Sequence, residues 1–168
     1  QEAFCYDVDV SLGNAIINDV RILCVGGNGA KGKDPSLEGA KYVRTNEVGG
    51  GAVLDLLFAG LISYDADGKP QNEMAEAIET EDAKTYTIKL KEGKTFSNGA
   101  PVNAASFVDA WNFGAAAKNA QLSSYFFESI EGYDEASAEG SEVDTMSGLK
   151  VIDDTTFEVT LKQPESDW

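Results

Sequence analysis

Residues 84–111 read KTYTIKLKEGKTFSNGAPVNAASFVDAW, and the hydrophobic period changes within this stretch. Polar and apolar residues alternate over 85–90, as is typical of a β-strand with one buried face. The glycines and polar residues of 91–99 predict a turn. Asn103 can cap a helix, and the apolar residues that follow recur at helical spacing: Ala104, Phe107, Val108, Trp111 and Ala115. A strand, a turn and an amphipathic helix in this order predict an α/β fold with mixed α and β structure.

The C-terminal part of the chain predicts further β-structure. Residues 149–152 and 156–161 are apolar runs separated by Asp153 and Asp154, which predicts a hairpin. The acidic, small-residue stretch 131–148 predicts an exposed loop. The run of aromatic and apolar side chains before it predicts a cluster: Tyr125, Phe126, Phe127 and Ile130.

The N-terminal part predicts strands, a connector and a helix. Residues 1–25 carry apolar patterns of one or two strands, and the glycine-rich stretch 26–39 is a connector. A helix is predicted from the stripe Val48, Val53, Leu54, Leu57, Phe58 and Leu61. A turn is predicted at 64–70, and a short amphipathic stretch at 74–78.

Composition excludes several classes of function. The 168 residues include 13 Lys and Arg but 29 Asp and Glu, a formal net charge of −16. Such a field repels phosphate backbones and anionic lipid surfaces, which disfavours nucleic-acid binding and peripheral membrane binding. The chain has no histidine, so Ser-His-Asp and Cys-His catalysis are excluded. Cys5 and Cys24 form either one bridge or two free thiols.

Two candidate ion sites are outweighed by simpler interpretations. Residues 27–33 read GNGAKGK and fit a phosphate loop, but Asp34 and Pro35 follow where a helix should begin, so a linker is favoured. Asp65, Asp67, Glu73 and Glu76 fall at calcium-loop spacing, yet Pro70 occupies the position that requires glycine. A solvated turn is therefore favoured, and no metal or cofactor is predicted.

From residue 47 onward the chain resembles the family 5 extracellular solute-binding proteins of ABC importers, the group that binds oligopeptides and dipeptides. The resemblance is carried by GAVLDLLFAGL at 51–61, YDADGKP at 64–70, MAEAIE at 74–79, the stretch 84–104, FVDAW at 107–111, IEG at 130–132 and VIDDTTFEVTL at 151–161. It covers about 120 residues in order.

The resemblance implies a fold and a division of the chain. Residues 41–168 would be the N-terminal lobe of a two-lobed clamp of the type II periplasmic-binding-protein kind, with a mixed sheet flanked by helices. Residues 1–40 would hold unassigned strands and the Gly-rich linker. Family members are several times longer, so the second lobe is expected outside this chain.

The resemblance also implies a ligand site and a function. The extended segment Asn46, Glu47 and Val48 would lie along the ligand, and Tyr125 would approach it. The protein would capture oligopeptides outside the cell and deliver them to an ABC permease without catalysis, as a monomer and without a cofactor. Cys24 resembles the first residue of a mature lipoprotein, so a lipid anchor would be its route to the membrane. Alternatives are an oligosaccharide-binding member of the family, with Tyr125 or Trp168 stacking on sugar rings, a non-catalytic surface or adhesion domain and, least favoured, a carbohydrate-active enzyme.

Overall fold

The computed structural model describes the backbone of Cys5–Leu12 and Ala15–Leu23, and residues 59–96, 99–121, 124–166 and 168 in full. Its strands are β1 (Cys5–Leu12), β2 (Ala15–Leu23), β3 (Ile62–Tyr64), β4 (Pro70–Asn72), β5 (Ala75–Thr80), β6 (Thr85–Leu90), β7 (Leu149–Val151) and β8 (Thr156–Thr160). Its helices are α1 (Ala104–Ala115), α2 (Tyr133–Ser137) and the short 3-10 helices η1 (Ala117–Asn119) and η2 (Ser124–Phe127). No helix in these ranges is long and apolar enough to cross a membrane.

The central element is a four-stranded sheet in the order β5-β6-β8-β7, while β1–β2 and β3–β4 form separate hairpins. The predicted α/β class is confirmed, as are strands within residues 1–25 and the hairpin that β7 and β8 form. The described strands contribute no parallel pair to the predicted mixed sheet, because all of their pairings are antiparallel. Residues 81–84 and 152–155 connect neighbouring strands, and such short turns cannot make the crossover that parallel pairing requires.

One face of this sheet forms the core. Tyr86, Ile88 and Leu90 alternate with the more exposed residues of β6, as the sequence pattern predicted. Ile88 pairs across the strands with Phe157, and Tyr86 pairs with Val159, so their side chains share one face. Phe157 and Val159 are fully buried.

Helix α1 packs on this face and begins at the predicted cap. The Asn103 side chain accepts a hydrogen bond from the Ser106 amide, and the Ser106 hydroxyl accepts one from the Asn103 amide, a reciprocal capping box. The predicted helical face is confirmed: the Phe107 and Trp111 rings lie 5.8 and 5.7 Å from the Phe157 ring.

The prediction of an exposed loop over 131–148 is wrong in part. Helix α2 lies within it, and Ala136, Met146 and Gly148 are buried. The Met146 amide donates to the Asn112 side-chain oxygen over 2.7 Å, which gives a buried amide a partner on α1. The acidic composition of this segment gives no sign of these few buried residues.

The segment 74–78, predicted only as amphipathic, belongs mostly to strand β5. The predicted turn at 64–70 is confirmed as the connection between β3 and β4. Its Asp65 carboxylate accepts hydrogen bonds from the backbone amides of Asp67 and Lys69 and from the Gln71 side chain, so it closes the turn. Residues 26–39, which include the candidate phosphate loop, and most of the helix predicted over 48–61 lie outside the described residues.

Gly148 tests how tightly the core strands hold the acidic segment. A Cβ at this position would overlap the Thr160 carbonyl oxygen and lie 3.0 Å from the Glu131 nitrogen, both of them backbone atoms. We expect Gly148→Ala to lower the free energy of unfolding by about 3 kcal/mol. Gly140→Ala is the control, because Gly140 has open space and only its left-handed φ of 76° is strained, a cost of about 1 kcal/mol. Urea denaturation measures the free energy of unfolding of both variants. Equal losses would contradict the close approach of the backbone atoms to Gly148.

Asp82 gives the β5–β6 turn a dependence on pH. Its carboxylate accepts hydrogen bonds from the amides of Thr85 and Lys84, which lower the pKa of Asp82 below its ordinary value. Since the folded pKa lies below the unfolded one, the stabilisation is present above the unfolded pKa, near 4, and is lost as the pH falls through the folded pKa. Carboxyl NMR titration should show the lowered pKa. As the pH is lowered from about 5 to about 3, the free energy of unfolding should fall less in Asp82→Asn than in the wild type. An equal fall in both proteins would exclude this role for Asp82.

Candidate ligand-binding site

The candidate site lies where helix α1 ends and two 3-10 turns follow. Ala116 ends the helix with its amide donating to the Asn112 carbonyl. Helix η1 comes next and ends at Ala120, which adopts the left-handed conformation with φ of 47°. The Asn119 side chain donates to the Phe113 carbonyl over 2.9 Å, so the turn is fastened back onto α1. Helix η1 is therefore held against α1.

Helix η2 directs its aromatic side chains to opposite sides. The Phe127 ring lies 5.9 Å from the Trp111 ring and against Gly114, where a Cβ would come within 2.6 Å of it. Tyr125 and Phe126 instead stack on each other at 4.6 Å and are 49% and 69% exposed. A stacked, exposed aromatic pair beside a half-buried aromatic anchor forms a rigid apolar surface.

A shallow groove of about 450 Å³ adjoins this turn. One side is lined by residues 115–118, Ala120, Gln121 and Ser124, and the other side by Ser137 and residues 139–142. Alanines dominate the first side, so the groove admits a backbone or a small side chain close to the protein. Ser124 directly precedes Tyr125, which places the groove next to the aromatic pair.

Charges around the groove are mostly acidic. Lys118 lies on the first side and pairs with Asp144 at 2.7 Å, while Glu139 and Glu142 line the other side. Both partners of the Lys118 pair are about half exposed, so the pair contributes little stability. The segment 131–144 is fastened to the body of the protein by two further pairs, Lys84 with Glu131 and Lys162 with Asp134.

Among the described residues, the titratable groups with displaced pKa lie in exposed turns and strands. Backbone hydrogen bonding, first from the Thr155 amide, lowers the pKa of Asp153. A hydrogen bond from Lys89 to Glu76, reinforced by the carboxylate charge, raises the pKa of Lys89. Within the described ranges, no three His, Cys, Asp or Glu side chains are grouped to hold a metal ion.

Of the four residues predicted to contact a ligand, the structure places one. Tyr125 is exposed beside the groove, whereas Asn46, Glu47 and Val48 lie outside the described residues. Sequence reasoning identified the aromatic run but missed that Phe127 faces inward while Phe126 joins Tyr125. It also missed the groove, whose alanines and serines carry no sequence signal of their own.

Comparison with known proteins places this arrangement in context. The sequence pattern of the bacterial extracellular solute-binding proteins, family 5 Middle, matches residues 69–168. The oligopeptide-binding protein OppA of Bacillus subtilis is 35% identical over 120 residues, which are 71% of this chain and 22% of that protein. The periplasmic oligopeptide-binding protein OppA of Escherichia coli is 40% identical over 110 residues, 64% of this chain and 20% of that protein.

Comparison with solved structures finds the same group of proteins. Listeria monocytogenes OppA bound to peptide superposes with a TM-score of 0.67 at 34% identity, covering 73% of this chain and 24% of the other. Haemophilus influenzae OppA in complex with RPPGFSPFR gives a TM-score of 0.68 at 31% identity and the same coverage. The chain thus spans about a fifth to a quarter of the length of these relatives, and its fold is that of one lobe of an OppA-type binding protein.

Substitutions on the two sides of η2 should differ in their effect on the free energy of unfolding. Tyr125→Ala removes a half-exposed ring and should change the free energy of unfolding by no more than about 0.5 kcal/mol. Phe127→Ala removes a ring packed on Trp111 and Gly114 and should cost about 3 kcal/mol. Chemical denaturation of both variants measures the contrast. A large loss for Tyr125→Ala would mean that this ring supports the core.

Proposed function

The chain belongs to the bacterial extracellular solute-binding proteins of family 5, and on this basis we propose that its complete protein captures oligopeptides outside the cell and delivers them to an ABC import permease. The observation that carries the proposal is the likeness in sequence and fold to an OppA bound to peptide. The exposed Tyr125–Phe126 pair beside a groove supports it, because such a surface can pack against a peptide.

Within this function, residues 41–168 are the N-terminal lobe of the clamp, and residues 1–40 are strands with a Gly-rich linker. The ligand lies along Asn46, Glu47 and Val48 through main-chain hydrogen bonds and touches Tyr125. The second lobe closes over it by a hinge motion. The protein acts as a monomer and without catalysis, at the cell surface or in the periplasm, and Cys24 is the point at which a lipid anchor would attach.

The oligosaccharide-binding alternative is favoured by one observation, the exposure of Tyr125 and Phe126, because sugar rings stack on such aromatics. Trp168, the other candidate for stacking, lies 4.9 Å from the Tyr86 ring and 6.3 Å from the Trp111 ring, so its indole already packs against the protein. The sugar alternative therefore rests on the Tyr125–Phe126 pair.

Calorimetric titration of the full-length protein tests the proposal. A pool of three- to five-residue peptides should bind with measurable heat, whereas oligosaccharides of similar size should not. Tyr125→Ala should weaken peptide binding about fivefold to tenfold, the value of one aromatic contact of about 1 kcal/mol.

Tyr64→Ala is the matched control. Tyr64 is 68% exposed and lies in β3, outside the groove, so its loss should leave the affinity unchanged. Heat from glycans alone would establish the alternative, and the absence of binding by either class would overturn the transport function.

A further inference from the structure

Helix α1 contains a glycine, Gly114, one residue before its last. A glycine within a helix destabilises it relative to alanine, because folding then removes more freedom from the backbone. The backbone gives no reason for a glycine at this position. Gly114 is not among the glycines with positive φ, and the helix ends two residues later at Ala116, whose backbone is extended. An alanine would therefore fit the backbone of residue 114 at least as well.

The space beside Gly114 is occupied by the side chain of Phe127. A Cβ on Gly114 would lie 2.6 Å from the Phe127 Cε2 atom and 3.2 Å from Cζ. Carbon atoms that are not bonded pack at about 3.5–4.0 Å, so both distances are repulsive. Gly114 follows Trp111 by three residues and lies on the same side of α1, and Trp111 contacts the same Phe127 ring. The ring thus packs in the space that a side chain at residue 114 would fill.

The Phe127 ring is held in this place from both ends. Trp111, on one side of it, packs on the fully buried ring of Phe157 at 5.7 Å. The Phe127 carbonyl accepts a hydrogen bond from the amide of Ile130, which is 1% exposed. To restore an ordinary carbon contact with a side chain at residue 114, the ring would have to move by about 1 Å. Because Trp111 and Ile130 belong to the core, helix η2 must take up this movement.

A movement of η2 would reach the exposed aromatic pair. Tyr125, Phe126 and Phe127 are consecutive residues of η2, and the Tyr125 carbonyl accepts a hydrogen bond from the Glu128 amide, which closes the turn around them. The Tyr125 and Phe126 rings also stack on each other at 4.6 Å. A displacement of Phe127 would therefore change the position of both exposed rings.

We propose that Gly114 is a positioning residue for the exposed pair. By leaving space for Phe127, it lets η2 pack close to α1 and so sets where Tyr125 and Phe126 lie beside the groove. Gly114 acts through Phe127 and not through contact with a ligand. The effect of Gly114 on ligand affinity rests on the proposed function, whereas its effect on the position of η2 does not.

The stability of Gly114→Ala tests the packing against Phe127. Helix propensity alone predicts a higher midpoint of urea denaturation, whereas the close contact with Phe127 predicts a lower one. Phe127→Leu removes the Cε2 and Cζ atoms, so Gly114→Ala should no longer lower the midpoint in that background. A midpoint that Gly114→Ala raises in the wild type, or lowers equally in both backgrounds, would overturn the proposal.

Circular dichroism shows whether each variant is folded. If Gly114→Ala unfolds the wild type but leaves Phe127→Leu folded, the close contact with Phe127 is supported by that contrast. If it unfolds both, a different contact excludes the alanine and the proposal fails.

NMR signals of the Tyr125 and Phe126 rings in the full-length protein report the position of η2. Gly114→Ala should shift the signals of both rings, and unchanged signals would overturn the positioning role. In the calorimetric titration with the peptide pool, Gly114→Ala should weaken binding about threefold, a part of the contribution of the Tyr125 contact. In the Tyr125→Ala background the same substitution should leave the affinity unchanged, because its effect passes through that ring. Equal weakening in both backgrounds would exclude this route.

These measurements separate the inference from the proposed function. Shifted ring signals without peptide binding by the wild type would keep the packing of η2 on Gly114 but exclude both its role in affinity and the peptide function. Peptide binding by the wild type together with unchanged ring signals in Gly114→Ala would keep the proposed function and overturn the role of Gly114.

Discussion

The packing around Phe157 is the constraint on which the rest of the structure depends. Its ring is fully buried, pairs across the sheet with Ile88, and receives Phe107 and Trp111 from α1. Sheet and helix are thus joined at one aromatic centre. Because packed interiors tolerate little change of volume, this centre fixes the angle at which α1 leaves the sheet and where its C-terminal end lies.

Trp111 connects the candidate site to this aromatic centre and so fixes the position of the site. The same indole that packs on Phe157 also contacts Phe127, the inward residue of η2. Tyr125 and Phe126 are therefore exposed on a turn whose third aromatic residue is anchored in the core. A candidate surface built in this way is ordered by its contacts with the core, and such preorganisation lowers the entropic cost of binding.

The acidic segment 131–148 is held by backbone geometry more than by charge. Glu131, Gly148 and Thr160 form a closed triangle of backbone hydrogen bonds of 2.7 to 3.0 Å. Gly148 belongs there because any side chain would meet the backbone of its neighbours. The three ion pairs of the segment lie at the surface, where solvent screens them. Thus a segment rich in carboxylates still forms one wall of a defined groove.

The sequence by itself determined strand β6, the capped helix α1, the hairpin of β7 and β8, the family, and the presence of an aromatic run near Tyr125. These features are local: alternation, helical spacing, a cap and turn residues are read within a few positions of the chain. Only the tertiary structure decided that the described strands pair antiparallel, that Met146 is buried against Asn112, and that Phe127 rather than Phe126 faces inward. The groove also belongs to this second group, because its two sides, with Ser124 on one and Ser137 and Glu142 on the other, come together only in the folded chain.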